Sequence, residues 1–73
     1  MEDQILKQIQ SILSETSITL DSTLIDTMDS ITFIQLVVAL ENEFNFNFDD
    51  EMLIMAKYPT IKEMVEYVLS KII

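Results

Sequence analysis

The chain contains no cysteine, no histidine, no arginine and no glycine, and it has a single proline. Without cysteine there is no disulfide, and without cysteine and histidine the usual structural zinc site is excluded. Stability must therefore come from packing. Without histidine a serine has no partner to complete a hydrolytic triad, and the residue type most often used for proton transfer near neutral pH is absent. Positive charge is almost absent as well. Thirteen acids face four basic residues, Lys7, Lys57, Lys62 and Lys71, for a formal net charge of −9. Such a surface repels nucleic acid phosphates and anionic membranes, so neither is expected as a partner.

What the chain does have is apolar mass. Of its 73 residues 49% are hydrophobic, enough for one small core and too many for a disordered acidic tail. No apolar run approaches membrane-spanning length, and the amino terminus lacks the basic, apolar, small-residue pattern of a signal peptide. The reading is a single domain over residues 1–73, monomeric and cytoplasmic. From Gln8 to Ala56 there is no basic residue, so a one-signed face is expected there. Solubility explains such a face, and so does steering toward basic docking surfaces on partner proteins.

Hydrophobic spacing lays out the helices. Ile5, Leu6, Ile9, Ile12 and Leu13 form one stripe of an amphipathic helix from Glu2 to about Glu15. Thr16 to Met28 is rich in Ser, Thr and Asp and reads as a long loop. Ile18, Leu20, Leu24, Ile25 and Met28 are the residues expected to tie it to the core, Leu20 and Ile25 foremost. The next helix runs from Ser30 to about Phe44, with Ile34, Val37, Val38, Leu40 and Phe44 giving it a face broad enough for the centre of a bundle. Asn45 suits a left-handed helix end in a chain without glycine.

Phe46 and Phe48 then alternate with Asn45, Asn47 and Asp49 as an apolar-pinned loop. The same run imitates the opening of a calcium-binding EF-hand loop but has Asp50 and Ala56 where glycine and glutamate are required, so that reading is set aside. A short helix follows around Met52 to Ala56 and stops at Tyr58-Pro59. Thr60 and Glu63 have the spacing of a capping box. Beyond them Ile61, Met64, Val65, Val68, Leu69 and Ile72 repeat at helical spacing. The fold class expected is all-α, a small four-helix bundle of three longer helices with one short helix before the last.

One stretch looks like a chemical site. Asp29 is a favoured N-cap, and Ser30 then occupies the first helical position, where free N–H groups and the helix dipole favour a phosphate. Local physics alone favours a plain helix start, since Asp and Ser are common there with no chemistry attached. Phe33, three residues on, falls near the serine's side of the helix; such an aromatic is more often core, and if partly exposed beside Ser30 it would meet a partner. Glu41 and Glu43 read as a solvated face, not a catalytic dyad.

The residues Asp29-Ser30, the hydrophobic helix closing in Ala39-Leu40-Glu41-Asn42-Glu43-Phe44, the long first loop and the acidic Asp50-Glu51 together resemble the acyl and peptidyl carrier proteins. The resemblance runs over most of the chain. It implies a carrier, not an enzyme, with 4′-phosphopantetheine attached covalently to Ser30 and Asp29 supporting that serine as helix cap. A phosphopantetheinyl transferase would use the Ser30 hydroxyl to attack the pyrophosphate of coenzyme A, and acyl or aminoacyl groups would then ride as thioesters. Loading and condensing enzymes are the partners implied, with Ile31, Phe33, Glu41 and Met55 as contacts. Fatty-acid carriers typically place acids in the first turns after the serine, where this chain has Thr32 and Gln35, and often have glycine shortly before it, where this chain has Thr27-Met28. These departures point to a free-standing carrier of a peptide or polyketide assembly line. The fatty-acid role and a small acidic adaptor without a prosthetic group are the alternatives.

Overall fold

The structure, a computed structural model, describes residues 1–73. Four α-helices follow in order: α1 Glu2–Leu13, α2 Leu24–Thr27, α3 Ser30–Phe44 and α4 Ile61–Ile72. The expected all-α bundle of three longer helices is present. Its short segment before α4 takes the form of two 3₁₀ turns, Asp50–Met52 and Met55–Lys57, with Leu53 and Ile54 between them. Its side chains are partly buried at irregular intervals, so one continuous helical face never forms. No helix is long and apolar enough to cross a membrane.

Helix α1 packs on both α3 and α4. Fifteen buried residues form one core cluster, all apolar or aromatic, including Ile5 and Ile9 of α1, Leu36 and Leu40 of α3, and Ile61, Met64, Val65 and Val68 of α4. The ends of α1 and α3 need left-handed residues, and with no glycine available Ser14 (φ 53°) and Asn45 (φ 56°) supply them. Asn45 is thus the expected cap. Helix α1 stops two residues before Glu15 because the Glu15 N–H turns back to the Gln10 carbonyl.

The long connection between α1 and α3 is laced down by its backbone. Thr23 and Thr60 form an antiparallel bridge, and the Leu24 N–H donates to the Pro59 carbonyl at 3.2 Å. The Ile61 and Lys62 N–H groups donate to the carbonyls of Ser22 and Leu20 at 2.9 and 3.0 Å. Those are free donors of the first turn of α4, so the loop itself caps that helix. Thr60 therefore makes no side-chain cap, correcting the reciprocal capping box; its hydroxyl donates to the Glu63 carboxylate at 2.8 Å.

Of the five apolar side chains expected to pin the loop, four do so, and one of the two foremost does not. Ile18, Leu24 and Met28 are buried and Leu20 is partly buried, whereas Ile25 is 77% exposed. Leu24 and Ile25 are neighbours on a four-residue helix, and only one of them faces inward. On α3 the buried line is Phe33, Leu36, Val37 and Leu40. Ile34 and Val38 lie outside it, each about half exposed, which narrows the broad inward face that the sequence suggested.

Candidate functional site

The start of α3 is built as the local sequence requires. Asp29 is extended at the N-cap, and its Oδ1 accepts a hydrogen bond from the Thr32 N–H at 2.8 Å. Its carbonyl accepts from the Phe33 N–H at 2.9 Å. The Ile31 N–H also acts on the Asp29 carboxylate, which leaves the Ser30 N–H as the open donor of the first turn. The Thr32 N–H, and then the Thr32 side chain, holds the Asp29 carboxyl below the ordinary value of 3.8, so it stays an anion across the neutral range. Ser30 is exposed at the first helical position, its hydroxyl bonded to no other side chain. A nucleophile held there is open to an incoming enzyme, and a phosphodiester formed on it meets the positive end of a fifteen-residue helix.

Beside Ser30 lies an apolar groove of about 490 Å³, open to solvent along one side. Ser30, Phe33 and Ile34 form its α3 wall, Ile25 comes from α2, and the segment Leu53 to Ala56 with Tyr58 and Pro59 closes the other side. No charged residue lines it. The segment is held in place by Tyr58, whose buried hydroxyl donates to the Met52 carbonyl at 2.8 Å. Burial pushes that phenol well above its ordinary value of 10.0, so it remains a donor. The Phe33 and Tyr58 rings pack 6.0 Å apart at 44°, and Tyr58 touches Tyr67 at 6.2 Å.

Of the residues singled out in the sequence, the structure brings Asp29, Ser30, Phe33 and Met55 together. Ile31 stands beside them, 71% exposed and outside the groove. Phe33 corrects the expectation of a partner contact in favour of the core reading: it is 2% exposed, because helical spacing from Leu36, Val37 and Leu40 turns it into the core. It reaches the outside as the groove's floor. Glu41 lies eleven residues along α3, about 16 Å from Ser30 by helical rise. Half-buried, its Oε2 accepts from the Phe48 N–H at 2.7 Å, so it works in holding the Phe46 to Phe48 loop, and it is not brought to the serine.

Sequence reasoning missed the groove wall itself, above all Ile34, Ile54 and Tyr58. One signal was available. Ile31, Ile34 and Val38 repeat at helical spacing on the side opposite Leu36, Val37 and Leu40, which marks a helix apolar on two faces.

Comparison with known proteins is decisive at this point. The family described as "Phosphopantetheine attachment site" matches residues 3–68. The chain belongs to the phosphopantetheine-binding carrier family. It is 34% identical over 79 aligned positions to an acyl carrier protein of Cyanidium caldarium, a match spanning 97% of this chain and 90% of that protein. No solved structure matches. Membership makes the chain a carrier of covalent 4′-phosphopantetheine, served by a phosphopantetheinyl transferase and acyl-handling enzymes, and not itself a catalyst. The start of α3 fits that group: it offers an exposed hydroxyl, the positive end of a helix dipole for a phosphate, and an adjoining apolar surface.

Proposed function

We propose that Ser30 is the attachment residue and that residues 1–73 act as one carrier domain holding acyl intermediates as thioesters. The observation that carries this is the exposed Ser30 at the capped start of α3, on the rim of the one apolar groove in the protein. Asp29 fixes the turn that presents the hydroxyl, and Ile31 and Met55 flank it as apolar contacts for the loading and condensing enzymes. Once attached, the group supplies the thiol that this cysteine-free chain lacks.

We further propose service in a free-standing peptide or polyketide assembly line. No acid lies in the first turn of α3, and Ile31, Ile34 and Val38 are exposed along it, so enzymes docking beside Ser30 meet a more apolar than acidic helix. The printed name of the relative, an acyl carrier protein, favours a second reading in fatty acid synthesis. Loading assays separate them: the assembly-line carrier takes cargo from an adenylating or polyketide-type loading enzyme. Efficient malonyl transfer and elongation by fatty acid synthase enzymes, with no response to those loaders, gives the role to fatty acid synthesis.

A further inference from the structure

Residues 50–57 are tied by hydrogen bonds to the rest of the protein only at their ends. Every hydrogen bond they make stays within residues 49–58. The Met52 and Leu53 N–H groups donate to the carbonyls of Asp49 and Asp50, the Lys57 and Tyr58 N–H groups to those of Ile54 and Met55, and the Tyr58 hydroxyl to that of Met52. None of the eight residues is fully buried, whereas each α-helix contributes at least one buried side chain. A segment with so few buried contacts belongs to the least stable part of a fold.

Its two ends are held differently. Past Tyr58 the chain is fixed by backbone, with the Leu24 N–H donating to the Pro59 carbonyl at 3.2 Å and the Ile61 N–H to the Ser22 carbonyl at 2.9 Å. At the other end Asp49 is held by side chains of α4. The Asp49 N–H donates to the Tyr67 hydroxyl at 2.9 Å, that hydroxyl donates to Asp49 Oδ2 at 2.9 Å, and Lys71 Nζ lies 3.3 Å from both carboxylate oxygens. Phe48, just before it, is buried with its ring 5.2 Å from that of Tyr67 and its N–H on Glu41, so motion that begins at Asp49 leaves the Phe46 to Phe48 loop in place. In a chain of net charge −9 with four lysines, this is the one place where a lysine is paired.

We propose that Asp49, Tyr67 and Lys71 form a latch, and that residues 50–57 are a flap that opens when the latch parts, hinged at Tyr58-Pro59 while the three longer helices stay folded. Opening breaks the bond from Tyr58 to Met52 and bares the Phe33 and Tyr58 rings beside Ser30. The latch thereby sets how much apolar surface an approaching enzyme meets there. The latch depends on the fold alone; its consequence for docking rests on attachment at Ser30.

The test is amide hydrogen exchange, followed by NMR on the folded protein at low denaturant concentrations. The N–H groups of Met52, Leu53, Lys57 and Tyr58 report the flap, and those of Leu40 and Val68 report unfolding of the whole domain. In the parent the flap amides are expected to exchange through a smaller opening, seen as a weaker dependence on denaturant than at Leu40 and Val68. Asp49→Ala, which removes the ion pair and the bond from the Tyr67 hydroxyl, should speed the flap amides about tenfold, and Lys71→Gln about threefold. Tyr67→Phe keeps the ring contacts with Phe48 and Tyr58 and should fall between them. Ile9→Val, which thins the core on α1, should speed Leu40 and Val68 and leave the flap amides at the parent's rates. Flap amides that share the denaturant dependence of Leu40 and Val68 overturn the flap, because the segment then opens only with the whole domain. Flap amides that keep the parent's rates in all three latch variants overturn the latch. Neither result touches attachment at Ser30, which is read separately by uptake of phosphopantetheine.

Discussion

At Ser30 the chemistry is a matter of access. The hydroxyl is exposed, engaged by no side chain and set on a helix start whose positive end welcomes a phosphate. Replacing it with alanine removes the acceptor and no buried contact. Ser30→Ala should therefore stay folded, with a midpoint within about 3 °C of the parent in a thermal melt, because surface changes of this kind stay within about 0.5 kcal/mol. Asp29 does the opposite work. Asp29→Ala loses the cap to Thr32 and should lower the midpoint by about 5 °C, while Asp29→Asn or Asp29→Ser retains most of it. The cap also gives the fold an acid limit. The folded carboxyl lies below its unfolded value of 3.8, so its contribution is complete above that value and is lost as pH falls through the depressed one. Asp49, lowered by the Tyr67 hydroxyl and then by Lys71, behaves the same way. Melts between pH 5 and pH 2 should show Asp29→Ala converging on the parent; a constant gap would contradict the cap's ionic character.

At the scale of elements, α3 has two apolar faces with different duties. Leu36→Ala empties a fully buried site and should cost 2–5 kcal/mol, whereas Val38→Ala, at a position 49% exposed, should cost about 0.5 kcal/mol or less in denaturant unfolding. The segment from Asp50 to Lys57 depends on one hydroxyl. Tyr58→Phe should lose about 1 kcal/mol by leaving the Met52 carbonyl unpaired. Because burial raises the Tyr58 value above its unfolded 10.0, the unfolded chain loses that proton first as pH rises. The stabilisation is full below pH 10 and falls above it, and that alkaline fall should be shallower in Tyr58→Phe. These elements were unequally legible. Asp29, Ser30 and Asn45 could be placed from sequence because capping is settled within one helical turn. The groove could not, since it exists only where residues 53–59 pack against α2 and the start of α3. The choice between Leu24 and Ile25 was equally hidden: it depends on the backbone bond from Leu24 to Pro59, which no local pattern encodes.

Taken whole, the molecule is small enough for its charge to act everywhere at once. Its largest extent is 26 Å, its net charge is −9, and Lys71 with Asp49 at 3.3 Å is its one ion pair. In about 0.01 M salt the screening length is about 30 Å, longer than the protein, and in 1 M salt it is about 3 Å. Raising sodium chloride across that range should raise the unfolding midpoint by relieving self-repulsion, and a flat or falling response would contradict that account. The same small bundle is a scaffold for one exposed serine, and that claim has a direct measurement. The folded protein, free of prior modification, is incubated with coenzyme A and a broad-specificity phosphopantetheinyl transferase and weighed intact beside Ser30→Ala. A gain of one phosphopantetheine group in the parent and none in the variant is the result expected; a gain in both, or in neither, would contradict attachment at Ser30.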